Sequence, residues 1–435
     1  MTRPDLSVVV PVWEPVRDLD RLIDVVRQTA SALSISAEII VCTAPSRRPE
    51  ALEIADEDVH VVLAAPGSGY GRILGQGIAR AQGRFVCTVD ADFFPLGEFI
   101  WTMWMHRDEG EALIGSRYVR GAVVQMKLLR RTMSSVLNLV YRVGLSLPFR
   151  DISSGFRMYR REVLEDIGPP TGQGLDALPE LLVKAYCQGW RISEVPIWYE
   201  GTRPWTRTRM LRLSAAYAGT IMRSFGLRNS VKAADYDSRA FDSWIPLQRY
   251  WQRRRFHIIR GFMAREGGRV LDIGCGSSRI VQSLPRAVGM DLRLQKLRWL
   301  RSPGRSLLQA DMNHLPFADA VFDSVVCSEV IEHIPHEQIR LSELVRVLTP
   351  GGTLILGTPD YSRQRWVTLE WVYGKVFPGG YVKEHINHYT RDGLERELRS
   401  LGLTVLECRY VGGSEMIFLS QVPSALQTPR TTDVS

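Results

Sequence analysis

Three sets of residues in this sequence could do chemistry. Cys87-Thr88-Val89-Asp90-Ala91-Asp92 ends an apolar run in two carboxylates spaced two residues apart. Parallel α/β sheets bind ligands at the carboxyl ends of their strands, where Asp90 and Asp92 could hold Mg2+ or Mn2+ and through it a diphosphate. A D-x-D on its own is equally a surface turn. Further on, VLDIGCGSSRI (Val270–Ile280) sets a Gly-rich turn between a strand-like run and a helix-like one, and Asp291 follows Asp272 by 19 residues. Such a turn lets backbone approach a ligand, and an acid at that distance suits ribose hydroxyls. Read alone, it also admits a dinucleotide site. The third set is His333 in EVIEHI with His385 and His388 in KEHINHYT. Imidazoles could take a proton from an alcohol, although a lone histidine is more often structural. The H-x-x-H spacing could bind a metal, but the sequence offers no evident third ligand.

Positioning these groups takes two alternating series of strands and helices. The first predicts strands at Ser7–Trp13, Glu38–Thr43, His60–Ala64 and Arg84–Asp90, with helices over Val16–Ala32 and from the Gly-rich Gly67–Gly71 to Ala81. Repeated β-α units predict a parallel sheet with helices on both faces. The second series starts at Arg269 and repeats that logic. Between them, Gly201 to Arg265 carries 14 Lys/Arg against 3 Asp/Glu, a local surplus of +11. A basic stretch attracts phosphates or an anionic membrane, or is simply a solvated linker; nothing in it resembles a nucleic-acid module. The expected organisation is a domain over 1–230, a basic connector over 231–265, a second domain over 266–421 and a disordered tail over 422–435.

Composition fits this division. At 435 residues, with 45% hydrophobic and 23% charged residues, the chain is long enough for two or three domains and too apolar for wholesale disorder. The six scattered cysteines form no C-x-x-C pair, which suggests buried thiols in a reducing cytosol. No signal-peptide core and no apolar stretch of about 18 residues is present, so a membrane span is not expected.

Around Asp90 and Asp92 stand ALIGSRY (Ala112–Tyr118), DISSGFRMYRREVL (Asp151–Leu164) and GWRISEVPIWYE (Gly189–Glu200). This ordered set, over roughly residues 5–215, resembles family 2 glycosyltransferases of the GT-A fold, nearest the dolichol-phosphate mannosyltransferase and polyprenyl-phosphate type. The resemblance implies that Pro11, Val12 and Glu14 line the nucleotide side and that Asp90 and Asp92 hold the metal. Arg117 and Arg157 would face donor or acceptor phosphate, with a buried Asp151 ion pair as the structural alternative for Arg157. Glu180 would stand near the sugar, or be an ordinary helix-surface carboxylate. A lipid phosphate acceptor is already anionic, so the work is to neutralise diphosphate, a task that suits Arg203, Arg207, Arg209 and Arg212. The helix expected at Lys127–Leu145 mixes aliphatics with arginines as an interfacial helix would, although its apolar face favours packing on the core. Three departures from the family pattern stand out. Cys42-Thr43-Ala44-Pro45-Ser46 replaces an Asp-Asp-Gly-Ser, Phe93-Phe94-Pro95 follows Asp92, and GTRPWTRTR replaces a basic G-x-S-K.

The second series continues from VLDIGCGSSRI through ADMNHLPF (Ala310–Phe317), FDSVVCSEVIEHI (Phe322–Ile334) and LTPGGTLIL (Leu348–Leu356). It resembles class I S-adenosylmethionine-dependent methyltransferases over roughly residues 250–420, nearest the quinone-biosynthesis and sugar O-methyltransferase type, and implies a Rossmann-like fold. That resemblance puts Asp272, Gly274 and Gly276 around the methionine end of the donor and Asp291 on its ribose. Asp311 and Met312 would contact the adenine, with a loop cap as the alternative for Asp311. Ser278 stands where a third glycine usually lies.

The leading expectation is therefore two doubly wound α/β domains forming a bifunctional cytoplasmic enzyme, with room for peripheral contact at the inner membrane face. It would move a sugar from a nucleotide sugar to polyprenyl phosphate or a glycan and methylate a hydroxyl with S-adenosylmethionine, as in building a methylated surface glycan or glycolipid. A methyltransferase whose front domain only binds glycan or nucleotide, and a membrane-surface scaffold, are the competing expectations.

Overall fold

The computed structural model describes residues 3–13, 18–44, 56–90, 95–200, 207–263, 268–284, 286–376 and 385–424. Glu14, Asp92, Arg203 and nearly all of the expected tail lie outside these residues, as do the side chains of Arg207, Arg209 and Arg212. The chain folds as two units, 1–228 and 229–435.

The first unit begins with β1 (Leu6–Val12), α1 (Leu19–Ala32), β2 (Ala37–Thr43), β3 (Val59–Leu63), α2 (Tyr70–Arg80), β4 (Phe85–Thr88) and α3 (Leu96–Met105). It continues with β5 (Ala112–Ser116), β6 (Val123–Gln125), α4 (Leu128–Gly144), β7 (Arg157–Arg160), α5 (Arg161–Ile167), α6 (Ala177–Cys187), β8 (Ile192–Pro196), β9 (Trp198–Glu200) and α7 (Arg207–Asn229). Its seven-stranded sheet runs β3-β2-β1-β4-β7-β5-β8. All seven residues of β1 are buried, as a central strand covered on both faces requires. One apolar layer holds Leu22, Val26, Val41 and Phe99, and a second holds Ile40, Ile73, Leu74 and Leu181.

In the second unit, α8 (Tyr236–Phe241) and α9 (Pro246–Phe262) precede β10 (Val270–Ile273), α10 (Arg279–Ser283), β11 (Ala287–Asp291), α11 (Leu294–Leu300) and β12 (Ser306–Gln309). Then come β13 (Phe322–Ser328), α12 (Leu341–Arg346), β14 (Leu348–Pro359), α13 (Gln364–Val376), α14 (Arg391–Ser400), β15 (Thr404–Val411) and β16 (Glu415–Gln421). The sheet order is β12-β11-β10-β13-β14-β16-β15. The stretch read as a basic connector thus contributes two helices, and α9 buries Ile258, Ile259 and Phe262 against Val270 and Ile355.

Both sheets are mixed: the four strands expected in the first series, β1 to β4, pair in parallel as predicted, and antiparallel strands join beyond them. In the first, β7 runs antiparallel to β4 and β5. In the second, β15 and β16 form a hairpin turned by Gly412 and Gly413, both at positive φ, so β16 enters antiparallel to β14. Hydrophobic patterning marks a buried strand but carries no sign of its direction.

The helix expected at Lys127–Leu145 forms as α4, but its apolar face does not pack on the core. Only Asn138 and Tyr141 are buried, while Leu128, Leu129, Val136, Leu139, Val140 and Val143 are 48–79% exposed. Among the described residues no helix is long and apolar enough to cross a membrane.

Candidate functional sites

In the first unit the separated motifs meet at the end of β4. Thr88 donates its hydroxyl to the Gly155 carbonyl at 2.8 Å, and a Cβ at Gly155 would lie 3.6 Å from both carboxylate oxygens of Asp90. The glycine therefore leaves the backbone of the SGFR loop within reach of the Asp90 carboxylate. Ser154 ties the same loop to the Gly115 carbonyl of G-S-R-Y at 2.7 Å. Arg117 grips Asp151 through Nε and Nη2 at 2.8 and 2.7 Å, and its own amide donates to the same carboxylate. Burial opposes the guanidinium charge, and the adjacent Asp151 keeps it protonated. Glu194 accepts from the Asp151 amide and the Ser116 hydroxyl at 2.9 and 2.8 Å. Nothing in the motifs distinguished this carboxylate, whose partners are set by the pairing of β5 with β8.

Arg157 departs from both readings made of it. The ion pair with Asp151 belongs to Arg117 instead, while Arg157 is 0% exposed and donates to the carbonyls of Ile152, Ser154 and Leu178 and to the Tyr159 hydroxyl. Its guanidinium stitches β7, the SGFR loop and α6 together. Glu180 is likewise no surface carboxylate. It is buried, accepts from the Thr171 and Gly172 amides at 2.9 and 2.8 Å, and pairs with Lys184 at 2.8 Å. Burial would raise its pKa, but Lys184 and the two amides hold it below the usual value. Beside this loop Gly71 donates to Gln173, and a Cβ at Gly71 would stand 2.0 Å from the Gly172 carbonyl. Pro11 and Val12 are buried in β1, paired with Cys42 and Thr43, and Val12 packs in the core.

In the second unit the Gly-rich turn leaves β10 with Gly274 and Gly276 at φ +63° and +52°, a conformation side chains rarely adopt. A Cβ on either would clash, with Val330 at 2.2 Å and with the Asp237 carboxylate at 2.5 Å. Asp291 accepts from the Gly276 and Arg293 amides, both at 2.8 Å, so it shapes the turn it was expected to serve. Asp272 is 3% exposed; burial and the neighbouring Asp291 push its carboxyl up to about 8. Burial also raises Asp291. Asp272, with one long hydrogen bond from Ser278 at 3.5 Å, is the less compensated of the two buried carboxyls.

Asp237 was missed by sequence reasoning because it lies in the basic stretch on α8, outside every motif. Its carboxylate accepts from the Ser277 amide at 3.0 Å and from Lys296 Nζ at 2.9 Å, closing α8 over the turn. Asp311 accepts from the Asn313 amide as a turn cap and stays half exposed. Met312 is buried beside Leu271, Ile273 and Met290.

The histidines come together, which their sequence positions do not reveal. His333 and His385 have ring centroids 5.1 Å apart, and Glu332 is 0% exposed beside them. His385 places Nδ1 2.9 Å from the Tyr361 hydroxyl and 3.0 Å from Glu370. Burial and the two neighbouring histidines lower its pKa to about 3, which removes it as a base at neutral pH. His388 is exposed and stacks on Tyr361 at 4.0 Å. Burial pushes Glu332 up to about 8.

Comparison with known proteins agrees with this division. Residues 7–168 match the family described as Glycosyl transferase family 2, and residues 271–356 match the Methyltransferase domain. The chain is 30% identical over 140 residues to a demethylmenaquinone methyltransferase of Beutenbergia cavernae, covering 30% of this chain and 55% of that one. It is 31% identical over 123 residues to a protein of Bos taurus named "Probable tRNA methyltransferase 9B", covering 27% of each. The chain spans only 27–58% of the length of such curated relatives. Among solved structures, glucosyl-3-phosphoglycerate synthase from Mycobacterium tuberculosis, in complex with Mn2+, UDP and phosphoglyceric acid, overlaps 51% of this chain and 79% of its own. The identity there is 18% and the TM-score 0.41. The chain therefore holds one segment similar to family 2 glycosyl transferases, residues 7–168, followed by one similar to the methyltransferase domain, residues 271–356.

Proposed function

We propose that the protein is a bifunctional transferase. The first unit moves a sugar from a nucleotide sugar to a polyprenyl phosphate or glycan acceptor, and the second O-methylates a hydroxyl with S-adenosylmethionine. The observation that carries this reading is that each unit gathers its separated motifs at the carboxyl ends of its strands: Asp90 beside Gly155 and the Arg117–Asp151 pair, and Asp272 with Asp291 around the Gly274–Gly276 turn.

In the first unit Asp90, with Asp92, would hold Mg2+ or Mn2+, which neutralises the departing diphosphate. The Arg117–Asp151 clamp keeps the loop beside Asp90 in place, and the Tyr70 and Tyr217 hydroxyls, kept protonated by burial, remain donors. A phosphate acceptor needs no base, so positioning dominates. The exposed aliphatics of α4, interleaved with Arg130, Arg131 and Arg142, support an acceptor presented at an anionic membrane surface.

In the second unit the acceptor oxygen forms a bond to the donor methyl while the methyl–sulfur bond breaks and its electron pair stays on sulfur. The hydroxyl proton passes to His388 or water. Asp272 and Asp291 would hold the donor, whose methyl is the group transferred, and positioning would supply most of the acceleration.

A second reading, in which the first unit only binds substrate, is favoured by the end of β2. Cys42 is fully buried with its thiol pushed up to about 12, and Thr43 donates to the Val12 carbonyl. Neither is a carboxylate for a nucleotide base. Calorimetric titration with S-adenosylmethionine, UDP- and GDP-sugars, with and without Mn2+, separates the readings. Mn2+-dependent sugar-nucleotide binding lost in Asp90→Asn supports two active sites, and its absence in the wild-type chain removes the first.

A further inference from the structure

We propose that Glu332, His333 and His385 form a divalent transition-metal site at the edge of the methyl-donor pocket. One ligand atom from each of the three lies within 4.8 Å of the others. Donors around a single ion with bonds of about 2.1 Å sit roughly 3–4 Å apart, so closure on a metal takes shifts of under about 1 Å. Neither sequence spacing nor the H-x-x-H pattern finds this set, because its third member is a glutamate next to His333, brought to His385 by the fold. The join is made by backbone: the Ile386 and Asn387 amides donate to the Glu332 carbonyl at 2.7 and 3.0 Å.

The state of each donor supports a cation. Glu332 is wholly buried; its Oε2 accepts from the Thr358 hydroxyl at 3.0 Å, whereas Oε1 has no hydrogen-bond partner among the described residues and stands 4.0 Å from His333 Nε2. A buried carboxylate oxygen without a donor is costly unless something positive completes it. The Tyr361 hydroxyl donates to Glu370 at 2.9 Å, so the His385 ring meets that pair with an Nδ1–H, which leaves the lone pair on Nε2. A histidine oriented by a carboxylate through one nitrogen is the usual support of a metal ligand. Glu329, one turn before, is held at φ +60°, a strained conformation for a non-glycine residue, and such strain clusters at functional sites.

Two imidazoles and a carboxylate suit Mn2+, Fe2+ or Zn2+ better than Mg2+ or Ca2+. Val330, between Glu329 and Glu332, packs onto Gly274 of the donor turn, so an ion here would lie next to the methyl donor and could orient an acceptor hydroxyl or vicinal diol. That use rests on the methyl-transfer reading; the binding of the ion does not.

The test uses the full chain carrying Asp90→Asn and Asp92→Asn, which removes both proposed oxygen ligands of the first unit, stripped with chelator and titrated with Mn2+. Electron spin-echo modulation is expected to report 14N coupling from coordinated imidazole at one Mn2+ per chain. His333→Ala and His385→Ala should each weaken Mn2+ binding at least about tenfold and lose a nitrogen coupling with unchanged circular dichroism. Glu332→Gln, which preserves shape, should weaken it comparably. No bound Mn2+, oxygen-only coordination, or undiminished binding in both histidine variants overturns the site. Calorimetry with S-adenosylmethionine on the same samples distinguishes the two ideas. Donor binding without nitrogen coupling overturns the metal site alone, and nitrogen coupling without donor binding overturns the methyl-donor reading alone.

Discussion

Arg157 in the first unit and Asp272 in the second are both buried motif residues on central strands, yet their surroundings differ. Arg157 has carbonyls on every side, and its neighbours Arg117, Asp151, Glu180 and Glu194 also close on internal partners. Asp272 has one long hydrogen bond, from Ser278 at 3.5 Å, and a like-charged neighbour. Glu329 and Glu332 nearby are likewise raised by burial. In the first unit the motif charges build the loops that frame Asp90. In the second, burial raises Asp272, Glu329 and Glu332 although Arg255 pairs with Glu329 at 3.1 Å, so the apo fold carries a cost that a cationic ligand would relieve.

The sharpest way to break this contrast is to delete one charge from each unit. Arg157→Ala should destabilise the first unit by about 3 kcal/mol or more, because several buried carbonyls lose their donor together. Asp151→Asn should cost a comparable ~3 kcal/mol by leaving Arg117 buried and unpaired. Asp272→Asn should do the opposite, stabilising the apo second unit by on the order of 2 kcal/mol while weakening S-adenosylmethionine binding at least tenfold. Urea unfolding of the apo chain with calorimetric titration reads all three. A loss of stability in Asp272→Asn would erase the distinction.

A smaller effect comes from pH. The Asp272 carboxyl titrates near 3.8 in the unfolded chain and about 8 in the fold, so between those values the folded state binds the extra proton. The second unit should therefore lose stability as pH rises from about 4 to 8. Glu180, whose folded pKa is lowered, acts the other way: its contribution to the first unit is present at neutral pH and is lost on acidification below its unfolded value. Scanning calorimetry should show the second-unit transition falling as pH rises from 4 to 8, and the first-unit transition falling only on acidification below about pH 4.5. A second-unit transition that climbs with pH would contradict the assignment.

The smallest expected change in stability, within about 0.5 kcal/mol, is for Leu129→Ser and Val143→Ser on the exposed face of α4. Binding to anionic vesicles should nevertheless fall several-fold, as read by co-sedimentation. Unchanged vesicle binding would detach α4 from the acceptor reading.

Much of this arrangement is readable from local pattern. Leu6–Val12 and Val270–Ile273 are short apolar runs that end at glycine or acidic punctuation, and the positive φ of Gly274 and Gly276 follows from residue type and spacing. Pairings made by the fold across long separations were not readable. Asp151 lies nearer Arg157 in sequence, but the loop brings Arg117, 34 residues away, to its carboxylate. Asp237 reaches Ser277 across 40 residues from a stretch whose composition marked it only as basic. Glu332 reads as one more acid in EVIEHI, while the short 3-10 turn at Ile331–His333 sets its side chain among the histidines.

The central claim is that one chain houses two separate transfer sites. It is tested most directly by mass spectrometry of a single incubation holding Mn2+, a panel of nucleotide sugars, polyprenyl phosphate and S-adenosylmethionine bearing a deuterated methyl. The account predicts a glycosylated lipid and a labelled methyl ether, with Asp90→Asn abolishing the first product's formation from the nucleotide sugar. Asp272→Asn should abolish only the label. Labelled methyl without sugar transfer from any donor, or both products lost together in either variant, would contradict it.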